Sequence, residues 1–146
     1  MKLPIPVPEN ELKAAAVAAM RNAKFPVIAT MKGDQPCVRP ISPVRTDGFT
    51  VYFASMRSSG KTAELEANER AELCYLSYNH DQVRITGPAR LVTDPATRQS
   101  IWDGYPLLRA YLGDIGNPEF MLYEVVPERV RFMREWALEY QEVPPA

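Results

Sequence analysis

The sequence has few of the residues from which metal sites and disulfide frameworks are built. Its 146 residues include two cysteines, Cys37 and Cys74, and one histidine, His80. A structural zinc site needs about four such ligands close together, so we predict no metal site. Two well-separated cysteines fit reduced thiols better than a disulfide framework, and we therefore expect a cytoplasmic protein.

Long apolar runs and an excess of charge are also lacking. No stretch approaches the roughly 20 apolar residues of a membrane span, and the N-terminus has no apolar signal-peptide core. The formal net charge is −1, which gives no electrostatic reason to expect nucleic acid or an anionic membrane as a partner. With 46% apolar residues, the chain is long enough to bury one core, and we expect a single domain over residues 1–146.

The pattern of apolar runs and turn residues predicts a mainly β (α+β) domain with short peripheral helices. Helices are expected at residues 9–23, 61–68 and 94–112, the last of them broken near Gly104 and Pro106. Strands are expected at 27–31, 37–44, 49–55, 71–78, 82–93, 120–126 and 129–135, with an extended arm at 1–8 and a tail at 141–146. Alternating βαβ units are missing. The pattern therefore favours a small antiparallel barrel over a doubly wound sheet.

The stretch Phe53–Thr62 carries the clearest chemical signal. An apolar run crosses a short loop rich in serine, glycine and basic residues and then enters a predicted helix. Unpaired N–H groups at the helix start, the positive end of the helix dipole and the Lys61 ammonium group all favour an anion at this place. A simpler alternative is a helix capped by Ser59, with Arg57 and Lys61 merely solvated.

The same stretch resembles a nucleotide-binding loop but departs from it. Residues 55–62 match the pattern G-x-x-x-x-G-K-[ST] except that Ser55 replaces the first glycine. That glycine normally allows the loop to wrap closely round the phosphates. The parallel sheet and the magnesium-binding aspartate of such NTPases are not visible either. No G-x-G-x-x-G motif is present, which disfavours a dinucleotide-binding unit.

Taken in order, the motifs resemble the pyridoxamine 5′-phosphate oxidase-like family of FMN-binding split barrels. The matching pieces are Ala29-Thr30, Gly33-Asp34, Cys37–Pro43, Asp47–Phe49, Val51–Ser55, Ser59–Thr62, Leu65–Asn68, Gln82–Ala89 and Asp94. Their order and spacing, rather than any single piece, carry the resemblance. It implies a six-stranded antiparallel Greek-key split barrel that forms a homodimer, with two FMN molecules at the interface.

The resemblance also implies a set of cofactor contacts. The family's positions fall on Arg39, Pro40, Ile41, Ser42, Ala54, Ser55, Ser59, Lys61, Thr62 and Gln82. Ser59, Lys61 and Thr62 would hold the FMN phosphate, and Arg39 would supply a second cation. The three residues after Arg39 would follow the flavin edge, and Gln82 would contact the ring or the ribityl chain. A phosphate dianion bound by two cations agrees with this assignment.

Two departures separate the sequence from the true oxidase. Val44 stands where the oxidase has a lysine that also touches the substrate, and the oxidase's long C-terminal section is absent or unrecognisable. We therefore expect an FMN-dependent oxidoreductase acting on another small molecule, with its catalytic residues unknown. The alternatives are a flavin-binding store, sensor or electron carrier, an F420- or haem-binding relative, and a structural barrel without cofactor.

Several other residues invite a functional reading. Four aromatic side chains could cover a flavin from the partner subunit, and each could equally be core or dimer packing; they are Trp102, Tyr105, Tyr111 and Trp136. His80 is expected in a solvated turn rather than in catalysis.

Overall fold

The computed structural model of the protein describes residues 5–135 and 137–146, which contain nine strands and four helices. The strands are β1 (Val27–Lys32), β2 (Gln35–Pro40), β3 (Pro43–Asp47), β4 (Thr50–Met56), β5 (Arg70–Leu76), β6 (Gln82–Leu91), β7 (Phe120–Val125), β8 (Arg129–Met133) and β9 (Gln141–Val143). The helices are α1 (Glu9–Ala23), α2 (Gly60–Ala67), α3 (Pro95–Gly104) and α4 (Pro106–Leu112).

The helices form where the sequence places the signals for their ends. In α1, two acidic residues lie in the first turn and Arg21 lies in the last, which complements the helix dipole. Asp94 caps α3 by accepting a hydrogen bond from the Thr97 N–H at 2.9 Å, and Pro95 occupies the first turn. The three predicted helical regions are thus confirmed, the last of them divided into α3 and α4 around Pro106.

All strand pairs are antiparallel, and they follow the order β2-β1-β5-β6-β7-β4-β3, with β8 pairing with β6 and β9 with β8. The long strand β6 joins two halves of the sheet, because Gln82–Thr86 pair with β8 and Ala89–Leu91 pair with β7. Gly87 lies at this changeover. A Cβ there would approach the Val126 carbonyl oxygen to 1.8 Å, so the close crossing requires glycine.

The predicted class, a mainly antiparallel sheet with peripheral short helices, is confirmed, but the described residues contain nine strands rather than the seven of the sequence pattern or the six that the resemblance implies. One added strand comes from the run 37–44, which divides into β2 and β3. These two strands pair with different neighbours, β1 and β4. Pro40 and Pro43 lack the N–H groups that a continuous ladder needs, and between them the Ile41 N–H donates to the Pro26 carbonyl at 3.0 Å.

The two ends of the chain are more closely attached than an arm and a tail would be. Residues 141–143, expected as part of the tail, form β9 on the edge of β8, with Val143 buried. The Gln141 side chain exchanges hydrogen bonds with the backbone of Val7, which is also buried. Residues 1–4 of the expected arm lie outside the described residues. The segment 141–143 is too short and too polar to be predicted as a strand from its own sequence. It forms a strand because the edge of β8 offers it hydrogen-bond partners.

Two apolar clusters hold the elements in place. The main core lies between α1 and the inner face of the sheet and includes Ala16, Ile28, Phe53, Leu73, Ile85 and Phe132. A second cluster lies under α3 and α4, where Trp102 packs against Phe120 with ring centroids 5.4 Å apart. Trp102 is thus a core residue, whereas Tyr111 is 83% exposed; Trp136 lies outside the described residues. Within the described chain, no helix is long and apolar enough to cross a membrane.

Candidate functional site

The loop between β4 and α2 is held by its own hydroxyl groups. The Ser59 Oγ accepts a hydrogen bond from the Lys61 N–H at 3.2 Å and so caps α2. The buried Thr62 hydroxyl donates to the Met56 carbonyl at 2.6 Å and lies 2.9 Å from the Ser55 Oγ. Three of the predicted cofactor contacts, Ser55, Ser59 and Thr62, therefore form one connected group at the start of the helix.

Arg39 reaches the same helix from the neighbouring sheet. Its Nη1 donates to the Thr30 Oγ1 at 2.6 Å, and its Nη2 donates to the Glu64 Oε1 at 2.9 Å. The Thr30 hydroxyl in turn donates to the same Glu64 oxygen at 3.0 Å, which closes a triangle. Because Thr30 lies on β1, Arg39 on β2 and Glu64 on α2, the triangle fixes the guanidinium relative to the helix.

Glu64 was not predicted as a site residue, although its position carries a signal. It lies three residues after Lys61 in α2, so both side chains occupy one side of the helix. Burial opposes the ionisation of Glu64, but hydrogen bonds from Arg39, Cys37 and Thr30 outweigh it and lower the pKa of the carboxyl below its ordinary value. Glu64 is thus a carboxylate that orients Arg39 and offsets part of its charge.

Lys61 differs from Arg39 in lacking such a partner. Among the described residues it forms no salt bridge, and its Nζ lies 5.3 Å from the centroid of the Phe53 ring. Burial, and then the nearby charge of Arg39, lower the pKa of the Lys61 ammonium group. We call Thr30, Arg39, Lys61 and Glu64 the α2 cluster. Its formal charge is +1, and a bound anion would relieve the repulsion between its two cations.

The backbone donors at the start of α2 are used differently from the prediction. The N–H and Oγ of Ser58 both donate to the Glu119 carboxylate, at 3.1 and 2.8 Å. These bonds, the backbone one first, lower the pKa of Glu119. The Lys61 N–H is paired with Ser59, and the Thr62 N–H with the Ser59 carbonyl. Unpaired N–H groups were expected to attract the anion, but these three are paired within the protein. The cationic side chains therefore carry most of the attraction.

The other predicted contacts around β2 and β4 do not all share one surface. Pro40 and Ser42 are exposed, whereas the side chain of Ile41 is buried in the main core. Ser55 faces the α2 side of β4, and Ala54 packs against the cluster under α3 and α4. A ligand at the α2 cluster could reach Ile41 and Ala54 through their backbone groups only.

Gln82 lies on the opposite face of the sheet from Arg39. Cross-strand partners share a face and neighbours along a strand alternate. The register Arg39–Ile28–Leu73–Ile85 therefore places Arg39 on the face of Ile85, and Gln82, three positions earlier in β6, on the other. Its Oε1 accepts a hydrogen bond from the Tyr140 hydroxyl at 2.7 Å. Gln82 and Lys61 of the same chain therefore cannot contact the same ligand.

A second charged group, not predicted from the sequence, accompanies Gln82 on this outer face. The Glu72 carboxylate pairs with Arg84 and with Arg131, each at 2.8 Å. Both guanidinium groups lie over the Tyr140 ring, at 5.1 and 5.6 Å from its centroid. We call Glu72, Arg84, Arg131 and Tyr140 the outer cluster.

Exposed apolar side chains surround the outer cluster. By strand register, Val27 shares the row of Arg84, Val38 the row of Glu72, and Leu76 pairs with Gln82. These three side chains are 37%, 66% and 56% exposed.

Comparison with known proteins places the chain in a family. The sequence model named pyridoxamine 5′-phosphate oxidase matches residues 12–134. The chain belongs to this family. Among curated proteins, none matches the sequence.

Solved structures of similar fold come from several bacteria. A Clostridium acetobutylicum protein related to general stress protein 26 of B. subtilis is 13% identical, with a TM-score of 0.77 over 94% of this chain and 96% of that one. General stress protein 26 of Bacillus anthracis is 19% identical, with a TM-score of 0.73 over 91% and 99%. A pyridoxamine 5′-phosphate oxidase-related, FMN-binding protein of Nostoc punctiforme is 18% identical, with a TM-score of 0.72 over 94% and 89%.

Other proteins of this fold bind different groups. One from Mesorhizobium loti is described as FAD-binding (17% identity, TM-score 0.63 over 80% and 90%). One from Mycobacterium smegmatis is described as haem-binding (14% identity, TM-score 0.73 over 97% and 60%). The fold therefore accommodates more than one cofactor.

Proposed function

We propose that the protein binds FMN through the α2 cluster and works as a homodimeric oxidoreductase on a small organic molecule. The observation that carries the proposal is the pair of cations, Arg39 and Lys61, beside the capped start of α2. Among the described residues, only Arg39 is paired with a carboxylate. A phosphate dianion supplies the missing charge, and charge-assisted hydrogen bonds from both side chains would hold it.

The donor set fits a flavin mononucleotide better than a bare phosphate. Next to the cations lies the half-buried Ser59 hydroxyl, which can hydrogen-bond to the ribityl chain or the phosphate, while the buried Ser55 and Thr62 hydroxyls hold the loop in place. FMN, when bound, accepts and donates hydride. The chain's own residues would hold and orient it: Arg39 and Lys61 at the phosphate, with Glu64 fixing Arg39.

The homodimer part of the proposal is supported by the outer face of the sheet. Val27, Val38 and Leu76 expose apolar surface there, and a second copy would cover it. Gln82 lies on this same face, away from the α2 cluster of its own chain. An FMN at the interface of two copies could contact Lys61 of one chain and Gln82 of the other.

A second candidate is a flavin-binding protein without turnover of its own. The observation in its favour is Val44, which stands where the true oxidase has a substrate-contacting lysine. Its side chain is half-buried against the cluster under α3 and α4 and offers no polar group. FAD or haem in place of FMN is a further alternative, since relatives of this fold are described as binding them. The unpaired Cys37 and Cys74 support a reducing, cytoplasmic setting.

The decisive experiment is to record the absorbance spectrum of freshly purified protein and to identify by mass spectrometry what heat releases. We expect flavin absorbance bands, one FMN per chain and a dimer in light scattering. A colourless protein that does not bind added FMN would refute the proposal. Release of F420 or haem would show that this compound, and not FMN, is the cofactor. Stopped-flow measurement of flavin reduction by NADH or NADPH distinguishes the two candidates: rapid reduction supports an oxidoreductase, and its absence supports a flavin-binding protein without turnover.

A further inference from the structure

A cavity of about 460 Å³ lies between the last turns of α1 and the β3–β4 hairpin. Val17 and Met20 of α1 and Pro43 of β3 give it apolar walls. Tyr75 of β5 lines it as well. No residue of the α2 cluster is part of its lining, so this cavity is separate from the proposed FMN phosphate site.

The Tyr75 hydroxyl is a buried polar group without a partner. The residue is 2% exposed, and its hydroxyl has no hydrogen-bond partner among the residues that the structure describes. Burial raises the pKa of Tyr75 well above its ordinary value, a shift that the neighbouring Thr46 opposes. The phenol is thus protonated at neutral pH and can donate a hydrogen bond. Thr46, whose effect on this pKa places it near the Tyr75 hydroxyl, lines the cavity together with Tyr75.

The charged side chains that line the cavity are all basic. Arg21 and Lys24 are exposed at the end of α1, and neither forms a salt bridge in the part of the chain that the structure describes. Arg45 directs its Nη2 to the Ser100 Oγ, at 2.8 Å, and so contributes only its stem. The helix C-terminus adds about half a negative charge, which the two cations outweigh.

We propose that this cavity binds a small organic acid with a compact apolar body and a second oxygen. The acidic group pairs with Arg21 and Lys24 at the mouth, and the apolar body packs against Val17, Met20 and Pro43. The second oxygen accepts the hydrogen bond from Tyr75, which satisfies the buried hydroxyl.

Three acids that each carry a second oxygen serve as probes: 4-hydroxybenzoate, 4-hydroxyphenylacetate and 4-methyl-2-oxopentanoate. Each is titrated into the ¹⁵N-labelled full chain with its native cofactor content and followed by NMR. We expect at least one to bind saturably, with shifts confined to the end of α1, the β3–β4 hairpin and β5. Shifts that saturate for none of the three, or that centre on α2, would overturn the proposal. Displacement of the bound acid by FMN would overturn it too, because the two sites would then be one.

Two variants test the assigned contacts. Tyr75→Phe removes only the hydroxyl; we expect at least fivefold weaker binding and, without the acid, a higher Tm, because an unpartnered buried group is lost. Arg21→Gln, on the exposed side of α1, should weaken binding severalfold, whereas Arg109→Gln on α4 should leave it unchanged. Wild-type affinity in both Tyr75→Phe and Arg21→Gln would contradict the proposal, and loss of affinity in the control would too.

Discussion

The α2 cluster and the outer cluster contain the same charges in different arrangements. Each has two cations and one carboxylate, for a formal charge of +1. In the outer cluster both arginines contact Glu72. Burial lowers the pKa of Arg84, but the hydrogen bonds and the charge of Glu72 outweigh it, so that the pKa is raised. In the α2 cluster only Arg39 contacts Glu64, and the pKa of Lys61 is lowered. In the first arrangement both cations have a carboxylate partner within the chain, although the buried Arg131 Nε makes no hydrogen bond among the described residues. In the second, the Lys61 ammonium group gains an anionic partner when a ligand binds.

This difference suggests separate roles for the two clusters. A carboxylate shared by two cations joins β5, β6 and β8 and stabilises the sheet. A cation left without a carboxylate costs stability in the free protein and contributes affinity when the ligand arrives, as binding sites commonly do. Substitutions should therefore affect folding at one cluster and binding at the other.

The largest effect is expected from Glu72→Ala, which leaves two half-buried arginines without their carboxylate. We expect the free energy of unfolding to fall by about 3 kcal/mol, at the lower end of the range for a broken buried pair because these side chains are partly exposed. Urea denaturation measures it. Glu142→Ala, which removes the exposed partner of Arg129, should cost less than about 1 kcal/mol. Equal losses in the two variants would show that the outer cluster has no special structural role.

Lys61→Ala tests the binding side of the comparison. We expect FMN affinity to fall by about 1.5–3 kcal/mol, as for a lost charge-assisted hydrogen bond. The free protein should keep its stability or gain slightly, because a desolvated cation is removed. Fluorescence titration and thermal unfolding give the two values, with exposed Lys13→Ala as the control. Unchanged FMN affinity would show that the α2 cluster does not bind the FMN phosphate.

The smallest effect concerns acid stability. The pKa of Glu64 is lowered in the folded protein from the ordinary value of 4.5. Its stabilising contribution is therefore complete above about pH 4.5 and is lost as the pH falls through the folded value. Glu64→Gln should flatten this part of the Tm-versus-pH curve, and exposed Glu9→Gln serves as the control. An unchanged acid limb in Glu64→Gln would mean that the triangle with Arg39 and Thr30 does not stabilise the carboxylate.

Local patterns predicted the elements that local chemistry controls. Helix α1, the Ser59 cap of α2, the Asp94 cap of α3 and the Asp47-Gly48 hairpin turn each depend on residues within one or two turns of chain. The strand β9 and the division into β2 and β3 depend on which distant edge offers a partner, and no local signal reports that. Glu119 was missed for the same reason, because its contact with Ser58 spans 61 positions.

The sequence by itself determined the helix starts, the turns, the alternation of buried side chains and the position of Lys61 beside a capped helix end. Each of these follows from backbone geometry and from the preferences of adjacent residues. Only the tertiary structure decided that Thr30 and Glu64 join Arg39, that Gln82 faces away from it, and that Tyr75 lines a separate cavity. Those relations depend on strand register and on the packing of α1 and α2 against the sheet, which bring together side chains far apart in the chain.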